Sequence, residues 1–257
     1  MNEKAVYSVQ EVSDIRIMRV GFFRPFRWLH QGWKDLMYSP RASLAHGLII
    51  TAMGWVVLTF SSNHLYLFTA AISGFMLAGP MLAAGLYELS RRKMAGQIVD
   101  FEASLDGLKR NVSQLARFAI IPVAFIFAWL SISALIFKEF FHGDVPALTG
   151  AIYQTTWLSA GAAFLLTYGT VGGAMAVTIF VVSVISVPMI MDRGTEPAAA
   201  IFTSVKVVVI NIFPMLLWAV LLVALTLIGF LTQLWGMILI IPLLGHATWH
   251  AYKDTVG

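Results

Sequence analysis

The sequence predicts an all-α polytopic membrane protein: six transmembrane helices, a weak pattern pairing them as three repeated helical hairpins, and cytoplasmic interfacial helices. Three observations carry that prediction. Of 257 residues, 59% are hydrophobic and only 12% charged, where a soluble domain has roughly 45–50% apolar and about 25% charged residues. The mean hydropathy of +0.80 follows from long apolar stretches, and the basic residues lie almost wholly between alternate pairs of them. So little charge cannot cover a soluble globule of this size, and so much apolar surface excludes a disordered chain.

A bilayer core takes about 20 mainly apolar residues per helix. Stretches 43–60, 65–87, 115–137, 164–191, 207–231 and 234–249 meet that requirement, with Arg117 at the edge of the third as the one charge. Backbone in lipid must satisfy its own hydrogen bonds, so these stretches should be helical. Runs such as 181–185 and 219–228 are apolar on every side, which excludes the alternation of a β-barrel. Ser61-Ser62-Asn63 leaves room only for a tight helical hairpin, and 232–233 for a tighter one.

Sixteen of the 17 Lys and Arg residues fall on one side of this arrangement and only Lys138 on the other. The positive-inside rule then places both termini in the cytoplasm. It also accounts for the sequence pI near 9.4 without nucleic acid as a partner. Residues 1–24 read as a polar cytoplasmic tail with no apolar signal-peptide core, and 25–257 as one membrane domain. Ser39 can cap the first span, with Pro40 at its first helical position. Before it, 25–38 should form an interfacial helix, with Phe26, Leu29, Trp33 and Leu36 opposite Arg27, Gln31, Lys34 and Asp35. Phe26, Trp28, Trp33, Arg27 and Lys34 are the expected anchors there, and Trp249 and Tyr252 at the other end of the chain.

The hairpin pattern rests on Ser43-Leu44, Ser104-Leu105 and Ser204-Val205, and on Pro80, Pro188 and Pro242, each followed by two apolar residues. Ser-to-Pro spacings are 37, 84 and 38 residues, and Asn111 and Asn211 stand at equal offsets from Ser104 and Ser204. The prolines are expected helix kinks. Charge is absent over the 47 residues 145–191, too many for one span, so part of 145–161 should lie on the outer surface or re-enter. Gly161, Gly169, Gly172 and Gly173 form a small-residue face for helix packing or partner contact.

Chemistry is thinly signalled. The chain has no cysteine, which removes disulfides, thiolate nucleophiles and iron–sulfur clusters. No ionisable residue lies within the span cores, which argues against ion pumps. His246 and His250 project from one helical face, and His46 joins them as the candidate metal-ligand set; burial and helix-end placement are the structural alternative. Asp100, Glu102 and Asp106 among basic residues read as a solvated face. No catalytic motif occurs, so no enzyme is predicted and no catalytic residue named.

The tail Gly245-His246-Ala247-Thr248-Trp249-His250-Ala251-Tyr252-Lys253-Asp254 resembles that of a proteobacterial family of predicted integral membrane proteins of unknown function. Ser39-Pro40-Arg41-Ala42-Ser43-Leu44, Ala78-Gly79-Pro80, Gly85-Leu86-Tyr87 and Asp100-Phe101 carry the same likeness. The resemblance implies six spans in a bacterial inner membrane. Some members are labelled cytochrome c oxidase subunits, but this chain lacks the length and the deep histidines of the catalytic subunit. The expectation is a non-catalytic accessory, assembly or scaffold subunit of a respiratory or other membrane complex, in contact with lipid and with other subunits or a second copy. A small-solute or lipid transporter is the alternative. No cofactor is predicted; a histidine-ligated haem or copper protein is the second alternative.

Overall fold

The structure is a computed structural model that describes residues 15–61, 74, 79–141 and 161–257. Among the described residues it is a helical protein without strands, apart from one isolated antiparallel bridge between Ile17 and Val256. The helices are α1 (Arg24–Tyr38), α2 (Pro40–Ser61), α3 (Ala84–Met94), α4 (Phe101–Arg110), α5 (Val112–Phe141), α6 (Gly161–Ser183), α7 (Ser186–Arg193), α8 (Pro197–Ile210), α9 (Ile212–Leu231) and α10 (Met237–Thr255).

Among the described residues four stretches are long and apolar enough to cross a membrane: Pro40–Phe60, Val112–Phe141, Gly161–Arg193 and Ile212–Leu231. The expected span 65–87 and the insert 145–161 fall largely outside the described residues. The expected span 234–249 lies in α10, which mixes an apolar start with a polar end and stays below the hydropathy of a span. Within the expected span 207–231 the helix is interrupted near its start. Asn211 separates α8 from α9, its side-chain amide donating to the Val207 carbonyl one turn back (3.2 Å), a bond that competes with helix propagation.

Asn111 breaks the chain in the same way between α4 and α5, donating to Gly107 (3.2 Å) and to the Met191 carbonyl (3.3 Å). The two Ser/Asn pairs at equal offset therefore occupy like places, each in a short helix and at its junction with a long one. Local chemistry explains the other boundaries. Asp100 caps α4 by accepting from the Ala103 N–H at 2.7 Å. Arg91, Arg92 and Lys93 close α3, where cations offset the helix dipole. Gly194 ends α7 at φ 64, a left-handed position that favours glycine. Turns at Ala83 and at Val184–Ile185 precede α3 and α7, close to Pro80 and Pro188, whereas Pro242 sits inside α10.

Two compact units divide the chain. The first is Met1–Thr51, Pro80–Ala119 and Phe180–Gly257; the second is Ala52–Gly79 and Ile120–Ile179. The first holds a core built on Trp28, Tyr87, Phe118, Trp218, Trp249 and Tyr252. The second packs Trp129 and Ile179 with Tyr168, and Phe137 with Phe164. Its rings meet edge to face, Phe137 and Phe164 at 5.1 Å and Trp129 and Tyr168 at 4.9 Å, a favoured aromatic geometry.

Candidate functional site: a buried polar network in the first unit

α1 turns Pro25, Trp28, Gly32, Asp35 and Leu36 inward. Gly32 lets α10 approach to backbone contact: a Cβ there would lie 2.7 Å from the Ala247 nitrogen and 2.8 Å from the Leu243 oxygen. Gly245 of α10 admits Leu86, Gly85 of α3 admits the His46 ring, and Gly107 of α4 admits the Glu88 carboxylate. Small residues thus bring α1, α2, α3, α4 and α10 close enough for their polar side chains to meet.

His246 is fully buried and lies between two serines. Its Nδ1 is 2.7 Å from the Ser90 Oγ and its Nε2 is 2.9 Å from the Ser43 Oγ. The Ser90 hydroxyl donates to Asp35 at 2.6 Å. With its one proton so committed, Ser90 must accept from Nδ1–H, and Nε2 accepts from Ser43. The result is a directed chain, Ser43 to His246 to Ser90 to Asp35, with neutral imidazole in the middle. Asp35 also receives Lys93 at 2.7 Å and the His250 Nε2 at 2.9 Å. Burial alone would raise the Asp35 carboxyl, but bonds from His250, Lys93 and Ser90 more than offset it and hold it at about 2.

A second cluster surrounds Glu88, which has no exposed surface. Arg91 reaches it at 2.7 and 2.8 Å, Arg92 at 2.9 Å and Arg110 at 3.0 Å. Burial pushes this carboxyl up, and the three guanidinium groups together bring it below its ordinary value. Arg92 also holds Asp106 at 3.1 Å. A third set closes the chain ends of the unit. Asp254 accepts from Arg24 at 2.6 Å and from the Trp28 indole at 2.7 Å, and Asp192 accepts from Tyr252 at 2.8 Å and Lys253 at 3.1 Å.

The structure brings His246 and His250 to the same Asp35–Ser90 pair. His46 is placed apart in hydrogen bonding, its Nδ1 3.0 Å from the Ala42 oxygen and its Nε2 3.2 Å from the Ser104 Oγ. Both nitrogens of His46 and of His246 are engaged with protein groups, and among the described residues no three His, Asp or Glu side chains are grouped to hold a metal ion. Gly172 packs against the Trp129 ring, while a Cβ at Gly161, Gly169 or Gly173 would meet nothing within 4 Å. Of the expected interface anchors, Phe26, Arg27, Trp33 and Lys34 are exposed, whereas Trp28, Trp249 and Tyr252 lie in the core. The partners that fill those core positions explain the difference: the Trp28 and Tyr252 polar tips end on Asp254 and Asp192, and the Trp249 indole on the Met94 sulfur at 3.2 Å.

Sequence reasoning missed Asp35, Ser90 and Glu88 as centres. Asp35 shares one helical stripe with Trp28 and Gly32, and Glu88 stands three and four residues before Arg91 and Arg92; both spacings are visible in the chain. The Arg110 and His250 partners come from distant helices and leave no such trace.

Fold and site together define a helical integral membrane protein whose first unit holds a polar, internally bonded network. Residues 67–192, nearly half the chain, match the family model described as "Predicted integral membrane protein (DUF2189)". Over that segment the chain is similar to this family, one of unknown function, in agreement with the likeness seen in Ala78-Gly79-Pro80, Gly85-Leu86-Tyr87 and Asp100-Phe101. No curated protein and no solved structure matches the chain.

Proposed function

We propose that the protein is a non-catalytic accessory, assembly or scaffold subunit of a bacterial inner-membrane complex, with both termini cytoplasmic. The observation that carries this reading is the saturation of its buried ionisable groups. Asp35 and Glu88 are each held by side chains from two or more helices, and His246 is bonded on both sides. A transport cycle or metal site needs such groups to exchange partners; here they act as cross-links that fix α1, α3, α4 and α10. The Lys and Arg residues of the described chain support the orientation, since all but Lys138 belong to the first unit. Lipid contact along the spans is expected, and other membrane subunits or a second copy are the partners.

Affinity purification from native membranes in mild detergent tests this reading, with subunit identification and an absorbance scan of the product. A defined partner at fixed stoichiometry is expected. A lone protein carrying a solute or lipid would favour a transporter, and a Soret band or stoichiometric copper lost in His246→Ala would favour the histidine-ligated alternative.

A further inference from the structure

α1 has three distinct sectors. Its inward sector is the Trp28–Gly32–Asp35–Leu36 face already described. A second, exposed sector is apolar: Phe23, Phe26, Trp33 and Met37 recur at helical spacing, with Phe22 just before the helix. Between these, on the remaining side, Arg27 and Lys34 stand exposed seven residues apart, two turns along one line. Arg41 follows, also exposed, at the start of α2. Arg24 is tied to Asp254, whose charge Arg27 also feels, but Arg27, Lys34 and Arg41 make no side-chain hydrogen bond or ion pair among the described residues. A cleft of about 380 Å³ between 38–42 and 99–101 borders Arg41. Asp100, on its other wall, has an oxygen committed to the Ala103 N–H.

Long apolar residues beside unpaired cations are the pattern of a helix lying in a headgroup layer. The helix is joined through Ser39 to α2, whose Pro40–Phe60 stretch is long and apolar enough to cross a membrane. We propose that α1 and the α1–α2 corner bind anionic phospholipid. Phe22, Phe23, Phe26, Trp33 and Met37 enter the headgroup boundary, Arg27 and Lys34 hold lipid phosphates, and Arg41 holds one headgroup at the cleft. This goes beyond the accessory-subunit reading and stands independently of it. Charge complementarity favours the lipid over a protein partner: Arg27 and Lys34 flank the apolar stripe and Arg41 follows it, none in a direct ion pair, and α1 presents no exposed carboxylate, the exposed Asp100 standing across the cleft from Arg41.

The test reconstitutes the full chain into phosphatidylcholine vesicles containing either brominated phosphatidylglycerol or brominated phosphatidylcholine at equal mole fraction. Quenching of Trp33 is read as the difference between the unaltered chain and Trp33→Phe. Stronger quenching by brominated phosphatidylglycerol is expected, and it should weaken as salt is raised. Arg27→Gln, Lys34→Gln and Arg41→Gln should each reduce the preference by roughly fivefold, the worth of one cation near an anionic surface, while Lys206→Gln leaves it unchanged. Equal quenching by both lipids, or a preference that survives all three substitutions, overturns the proposal. Trp33 quenched by neither lipid overturns it as well and indicates a protein on this face. The salt dependence of the unaltered chain decides the question should a variant fail to fold.

Discussion

The two units solve the same packing problem with different chemistry. In the first, apolar helices are cross-linked by charge: Glu88 among three arginines, Asp35 among Lys93, His250 and Ser90, and His246 between two serines. In the second, α5 and α6 meet through rings, Phe137, Phe164, Tyr168 and Trp129, joined by a 3.0 Å contact between the Ser133 and Tyr168 hydroxyls. The difference lies in the side chains each unit buries. Contacts between apolar helices are decided by shape and ring geometry, whereas a buried charge is tolerated only when partners fix it. Directional bonds tie the first unit to one arrangement of helices; ring contacts in the second tolerate small shifts.

Glu88→Ala is the strongest way to break that contrast. It leaves Arg91, Arg92 and Arg110 without their shared carboxylate, and removing one member of a buried ion cluster costs about 3–5 kcal/mol. Unfolding in mild detergent should show the loss, and a change close to zero would mean the cluster is not structural. Asp35→Asn comes next, at roughly 1.5–3 kcal/mol for bonds to a charged acceptor. Its pH behaviour sharpens the test. The Asp35 carboxyl is depressed from 3.8 to about 2, so its contribution is complete above about pH 4 and lost as pH falls through about 2. An acid unfolding profile should lose that component in the Asn variant.

Gly32→Leu should cost about 1–3 kcal/mol by overpacking, because the added carbon meets Ala247 backbone rather than a movable side chain. Protease sensitivity of α1 should rise with it. In the second unit Ser133→Ala should cost only about 0.6 kcal/mol, as for other hydroxyl bonds between membrane helices. If it cost as much as Asp35→Asn, the distinction between the units would fail.

Much of this architecture was legible in the chain. The start of α2 at Pro40 follows from proline's fit at a first helical position, and the parallel placing of Asn111 and Asn211 from side-chain competition, both of which act within a few residues. The orientation of α1 was harder to read. Apolar residues occupy two of its sectors, so periodicity alone put Phe26 and Trp33 on the face with Leu36, whereas Trp28 and Gly32 mark the side that packs. The burial of Glu88 left no mark in the chain, because its Arg110 partner arrives from α4 and no local spacing announces a tertiary contact. The histidine pair was visible as a pair, but its use in bonding Asp35 and the two serines depended on helices brought in from three other parts of the sequence.

The proposed orientation has the basic unit facing the cytoplasm and α5 carrying the chain across. The absence of cysteine makes this directly measurable by single-cysteine variants at Lys109 and Lys138, both exposed. They flank opposite ends of the 30-residue α5, which spans roughly 45 Å at 1.5 Å per residue. In intact spheroplasts a membrane-impermeant maleimide should label Lys138→Cys at once and Lys109→Cys only after permeabilisation. Labelling of Lys109→Cys from outside, or of both positions equally, would contradict it.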